Sequence, residues 1–295
     1  MSEVAAPLFP GFRTHRIATS GAEIHCIVGG SGPPLLLLHG YPQSHVMWHK
    51  AAPLLTRDFT VVVTDLRGYG DSSKPESGPD HAGYSKRAMA QDQVEVMSQL
   101  GFEAFFVAGH DRGGRVAHRM ALDHPRRVKK LAVLDIVPTW RLYRDSTREF
   151  AAAYFWWYFL IQPAPLPETL IGNSVEFWLS EKLGKAAPGA ITSAAFAEYL
   201  RCYRDAETIH ASCEDYRAAA SIDLLHDEAD MQRPVECPVL ALWGEHAPMH
   251  RLYDVAATWR ERAANVTGKP LPGTHYLVEE IPELVAAELR AFFRV

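Results

Sequence analysis

Five stretches of this chain are continuous apolar runs that stop abruptly on a polar or glycine cluster. They are "PPLLLLHG" (33–40), "FTVVVTDLRGYG" (59–70), "AFFVAGHD" (104–111), "LAVLDIVP" (131–138) and "PVLALWG" (238–244). A strand that is apolar on both sides must be covered on both sides, which is the condition of a parallel sheet between layers of helices. Helical patterns lie between the runs. Residues 84–100 space Met89, Val94, Met97 and Leu100 along one face, and 113–123 and 251–263 also read as helices. "GAEIHCIVGG" (21–30) alternates and ends in glycines, which predicts an antiparallel strand. Strand and helix in alternation predict an open α/β sheet with right-handed crossovers. Such sheets gather function at the carboxyl ends of their strands, here His39-Gly40, Asp65, Gly109-His110-Asp111 and Asp135.

The rhythm breaks between Pro138 and Pro234. "EFAAAYFWWYFLIQPAPLPE" (149–168) and "AFAEYLRCYRDAETIHASCEDYRAAAS" (195–221) are rich in aromatics and alanine and contain no clear β-branched run. We expect a core built from 1–137 and 235–295, and a helical cap over 138–234 inserted between two strands.

With 295 residues, 47% hydrophobic, the chain is long enough for a large buried core. A net charge of −5 gives no reason to expect nucleic acid or an anionic membrane as partner. Cys26, Cys202, Cys213 and Cys237 lie far apart and form no C-x-x-C, so neither a disulfide framework nor structural zinc is expected. The beginning of the sequence shows no signal-peptide pattern, and 151–161 is too short an apolar run to span a bilayer. A cytoplasmic protein is the expectation.

The segment "AGHDRGGRVAHRMALDHP" (108–125) follows an apolar run and opens a helix. Gly109 and Gly113 flank Asp111 at the spacing of a strand-to-helix elbow, which lifts the central side chain clear of the sheet. An aspartate there is either a helix N-cap or a nucleophile. Its partners favour the nucleophile. Asp135 ends the next apolar strand, and "LPGTHYLVEEIPE" (271–283) places His275 in a loop before the last helix. Nucleophile, acid, histidine is a known chain order for this kind of site. Glu245 in "WGEHAP" is a second candidate for the acid, with Asp135 preferred.

Upstream, "LLLLHGYPQSHVMW" (35–48) ends a strand in His39-Gly40-Tyr41-Pro42, a loop suited to aiming a backbone N–H outward. The amides of Tyr41 and Arg112 would then form an oxyanion hole. Residues 67–73 lack a dinucleotide fingerprint. His45/His49 and His246/His250 lack the adjacent glutamate of a zinc motif, so no metal and no cofactor are expected.

The sequence resembles the α/β-hydrolase superfamily over nearly its whole length. Within it, the sequence resembles the haloacetate dehalogenases, including fluoroacetate dehalogenase. The resemblance rests on "LLLHGYPQSHVMWHKAAPLL", "DLRGYGDSSKP", "GHDRGGRVAHRMALDHP", "LAVLDIVPT", "FLIQPAPLPE" and "CEDYRAAA". It implies a mostly parallel eight-stranded sheet with helices on both faces and a helical cap. It implies that Asp111 displaces halide to form an ester, and that His275, oriented by Asp135, activates the water that cleaves it. Arg112 and Arg115 would hold the substrate's carboxylate, since a guanidinium fork pairs with a carboxylate through two bonds. Halide and a small carboxylate would be the ligands, and the pattern of relatives implies a homodimer.

The fluoride pocket of that family uses His-Trp in the cap and a tyrosine further on. Those positions fall here at Trp156 and Trp157 and near Ser221. Trp157, and Trp156 beside it, are the expected halide-binding residues. With the histidine and tyrosine gone, chloro- or bromoacetate, or a larger 2-substituted acid, is expected to be preferred over fluoroacetate. The alternative is an epoxide hydrolase using the same Asp–His pair, with proton donors among Tyr143, Tyr154, Tyr158, Tyr203 and Tyr216.

Overall fold

The computed structural model describes residues 8–294. Eight strands form one sheet: β1 (Arg13–Ala18), β2 (Glu23–Gly30), β3 (Pro34–Leu38), β4 (Thr60–Thr64), β5 (Phe105–His110), β6 (Val128–Leu134), β7 (Val239–Gly244) and β8 (Val266–Leu271). Their order is β1-β2-β4-β3-β5-β6-β7-β8. β1 pairs antiparallel with β2, and β2 with β4; every other pairing is parallel. The continuous runs are the parallel interior. Leu35 to Leu38, Val61 to Val63 and Phe105 to His110 are all buried.

The order reverses at β3. From it the chain moves to β4 on one side and later returns to β5 on the other. Ligands in open α/β sheets bind at such a switch point, beyond the carboxyl ends of the strands. Here it brings the loop after β3, carrying Gly40 and Tyr41, against the turn after β5, carrying Asp111. The Arg112–Asp123 helix leaves that turn and packs on β5, β6 and the Lys86–Gln99 helix.

Between β6 and β7 the described residues form eight helices, from Thr139 to Ala229, and no strand. Two differences from the sequence reading stand out. β1 and β8 escaped the reading of apolar runs because they are edge strands with mostly exposed side chains, "RTHRIA" and "VTGKPL". The helix expected over 251–263 is two short helices, Pro248–Leu252 and Val255–Arg260. Asp254 breaks it by accepting a hydrogen bond from the Ala257 N–H at 2.9 Å, a new N-cap.

Candidate active site

Asp111 stands at φ +43° and ψ −115°, a conformation that L residues rarely adopt. Strain of this kind costs on the order of 1–3 kcal/mol and persists only where the surroundings enforce it. The flanking glycines do so. A Cβ on Gly109 would lie 2.4 Å from the Gly113 carbonyl oxygen, and one on Gly113 would lie 2.4 Å from the His39 carbonyl oxygen. The Gly113 N–H donates to His39 O at 2.8 Å, tying the elbow to the loop after β3. The Asp111 side chain caps nothing in its own helix. Its Oδ2 instead accepts the Tyr41 N–H at 3.1 Å, so the N-cap reading fails.

Asp135 Oδ2 lies 2.5 Å from His275 Nδ1, and its Oδ1 accepts the Gly244 N–H at 3.0 Å. Glu245 is exposed, with its carboxylate 3.5 Å from His246 Nε2. Asp135 also has a positive φ, +52°, at the end of β6. Burial opposes charge on His275, but the Asp135 hydrogen bond and the Asp135 and Asp111 charges outweigh it and raise its pKa. Asp111 is the converse case. Burial raises its pKa, while the charges of His275, Arg115 and Arg112 lower it further, leaving a carboxylate. His110 packs 4.6 Å from the His275 ring, and its Nε2 lies 2.7 Å from the His275 carbonyl oxygen. Burial, then the His275 charge, pushes His110 down to about 4, so it is neutral.

Arg112 and Arg115 are both buried. Arg112 donates from Nε and Nη2 to the two carboxylate oxygens of Asp215 at 2.8 and 2.7 Å, leaving only Nη1 without a partner. Arg115 donates from Nη1 to Val137 O at 2.9 Å and to Thr139 Oγ1 at 3.0 Å, both neutral acceptors. Its Nε has no partner, and burial pushes its pKa down to about 10. His39 turns inward. Its Nε2 accepts the Leu66 N–H at 3.0 Å and its Nδ1 lies 3.0 Å from Gly40 O, so it holds the loop that presents Tyr41.

Trp157 covers both guanidiniums, with its ring centre 4.6 Å from Arg115 Cζ and 5.5 Å from Arg112 Cζ. Trp156 has Lys182 Nζ 3.5 Å from its ring centre and lines a cavity of about 240 Å³ with Tyr154, His275 and Tyr276. Ser221 is exposed, with its hydroxyl on Arg217 O at 2.7 Å. The aromatic ring over Arg112 is that of Tyr216, at 4.1 Å. The hydroxyls of Tyr154 and Tyr216 are buried without partners. Asp215 is the residue that sequence reasoning missed, although it sits within "CEDYRAAA". His25, His45 and Asp65 are the only cluster with metal-like spacing among the described residues. Both rings lie 3.0 Å from Asp65, a hydrogen-bond distance, and the carboxylate also accepts the N–H groups of His45 and Asp71.

Residues 33–280 match the family described as the alpha/beta hydrolase fold. The chain is 49% identical to a fluoroacetate dehalogenase of Burkholderia sp, over 97% of this chain and 95% of that one. It is 34% identical to a soluble epoxide hydrolase of Corynebacterium sp. (strain C12), over 95% of this chain and 96% of that one. Among solved structures, ALR0039 from Nostoc sp PCC 7120 is 60% identical and superposes with a TM-score of 0.94 over 95% of this chain and 97% of that one.

Proposed function

Because this chain belongs to the α/β-hydrolase fold family and, within it, to the fluoroacetate dehalogenase family, we propose that it hydrolyses the carbon–halogen bond of short 2-haloacids. One observation carries the reading. The strained Asp111 carboxylate stands with the His275–Asp135 pair beside Arg115, a buried guanidinium with no carboxylate of its own. The helical stretch 138–234 serves as the cap over this site.

The reaction has two steps. Asp111 attacks the sp³ carbon, the carbon–halogen bond breaks, and halide leaves with the electron pair. His275 then takes a proton from water, and the hydroxide adds to the Asp111 ester carbonyl. The N–H groups of Tyr41 and Arg112 face the resulting oxyanion. Collapse, with His275 returning its proton to the departing oxygen, releases the 2-hydroxy acid and leaves the water oxygen in Asp111. Trp157, over the two guanidiniums, would donate its indole N–H to the departing halide, and Trp156 stands further out. Tyr154 and Tyr216 add hydroxyls without protein acceptors to the cap wall.

The decisive experiment is one turnover in ¹⁸O-water with excess enzyme. The label is expected in Asp111 and not in the product, and label in the product instead would refute the ester route. His275→Ala should release one halide per site and stall as an ester, seen as an added mass. Chloroacetate is expected to turn over faster than fluoroacetate, and equal halide-release rates would remove that preference.

The unpartnered Tyr154 and Tyr216 hydroxyls favour a second reading, an epoxide hydrolase in which they protonate the opening oxygen. Arg115 weighs against a neutral epoxide, and an epoxide panel beside the haloacids decides. Two further expectations belong to the proposal. The four free cysteines suit a reducing cytoplasm, which fractionation of the source cells would test. Exposed Leu166, Leu170 and Phe177 suit a homodimer, to be checked by light scattering.

A further inference from the structure

The Arg112 fork is already full. Asp215, fully buried on the Ala206–Ala219 helix of the cap, accepts Arg112 Nε at 2.8 Å on Oδ2 and Nη2 at 2.7 Å on Oδ1. Its backbone carbonyl takes Nη2 as well, at 2.8 Å. Tyr69 donates its hydroxyl to Oδ2 at 2.7 Å, and Lys86 Nζ donates to Oδ1. Lys86 in turn faces Asp223, 3.5 Å away. Every bidentate edge that Arg112 would offer a ligand through Nε and Nη2 is therefore spent on the cap. What remains is Nη1, buried and without a partner. Arg115 is different in kind, because its acceptors Val137 O and Thr139 Oγ1 carry no charge.

This asymmetry matters for a substrate as small as a haloacid. A monoanion facing two open forks has two strong poses, since each fork grips a carboxylate equally well. Displacement needs one pose, with the halogen-bearing carbon in line with Asp111. We propose that Asp215 is a positioning residue that keeps the Arg112 fork closed to substrate, so that Arg115 carries the carboxylate's charge and Arg112 supplies one aimed N–H from Nη1. The proposal rests on the haloacid reading above. The buried Arg112–Asp215 pair does this while holding the cap to the elbow one residue from the nucleophile.

Asp215→Asn opens the fork and adds one uncompensated positive charge beside Asp111. Ground-state capture should tighten while the chemistry slows. For chloroacetate we expect kcat to fall by about 10-fold or more while KM falls by about 3-fold or more. Loss of folded protein lowers the active fraction and cannot lower KM.

Should Asp215→Asn fail to fold, the Arg112→Met/Asp215→Asn double variant removes both charges together, a change that buried pairs often tolerate. Its KM is expected within about 5-fold of the parent, with a lower kcat, whereas Arg115→Met raises KM by about 50-fold or more. A KM that rises in Asp215→Asn, kinetics unchanged in it, or a double variant as impaired in KM as Arg115→Met would each overturn the proposal.

A parent chain that releases no halide from any 2-haloacid refutes the haloacid reading instead. Calorimetry of chloroacetate on Asp111→Asn, with and without Asp215→Asn, then still tests Asp215. Tighter binding with the second change supports it, and weaker or equal binding overturns it.

Discussion

In the proposed mechanism His275 must be neutral to take a proton from water, so its pKa would set the acid limb of activity. Burial alone would lower that pKa, and Asp135, 2.5 Å away, reverses the direction. In the ester Asp111 is neutral and no longer raises His275, so there Asp135 alone opposes burial and holds the acid limb of ester hydrolysis up. Asp135→Asn removes the reversal. The limb should move to lower pH, and the plateau should drop by roughly 100-fold or more, because the tautomer is no longer held. A pH–rate profile of the deacylation step checks both parts, and a limb that stays put would show that another group sets it. Asp111, Asp135 and His275 were legible in the chain because each ends a recognisable strand or precedes a recognisable helix. Asp215 was not. Its partner Arg112 lies 103 positions away, and no local pattern marks a residue whose role is to occupy another.

The elbow works only if two loops interlock. A Cβ on Gly40 would lie 2.6 Å from Asp111 Cβ and 3.1 Å from Asp111 Oδ2. Gly40→Ala must therefore move either Asp111 or the Tyr41 amide that binds it. We expect about 1–3 kcal/mol of lost stability from overpacking. We also expect kcat/KM lower by about 100-fold, since displacements near 1 Å cost that much in a positioned site. Thermal melts and halide release measure the two effects, and full activity would mean that the loop yields without disturbing Asp111. The elements that build this site were legible because β3, β5 and β6 are covered on both sides and so read as unbroken apolar runs. The exposed edges β1 and β8 carry no such signal. The aromatic run at 154–159 gave no helical face for a related reason. Only Trp156–Phe159 is helical there, a single turn, so Tyr154 and Trp157 are buried by the path of the chain rather than by periodicity.

The proposed cap and the core also meet behind the site, through a buried carboxyl. Glu279 is 1% exposed and lies on the turn that follows His275. Its Oε2 accepts from Gln43 Nε2, which also reaches the Tyr199 hydroxyl of the cap at 3.3 Å; its Oε1 has no hydrogen-bond partner and lies 3.9 Å from His49 Nδ1, whose pKa burial lowers. Nearby, Lys50 Nζ bridges Glu279 O at 3.0 Å and Ala190 O of the cap at 2.5 Å. Burial raises Glu279 to about 8, against weaker lowering by Tyr199, Lys50 and Gln43. The folded protein thus holds a proton here that the unfolded chain, with a carboxyl pKa of about 4.3, releases. Its stabilising effect is full below pH of about 4.3 and is lost as pH rises through about 8. Glu279→Gln keeps the shape and cannot ionise. Relative to the parent, the variant should gain stability steadily from pH 5 to pH 8.5, with about 5 kcal/mol as a ceiling from the pKa difference. Melting temperatures across that range decide the matter. Parallel curves for the two proteins would mean that Glu279 ionises without cost. Diverging curves would make the junction between the Tyr41 loop and the cap weakest in alkali, where His275 is most fully a base.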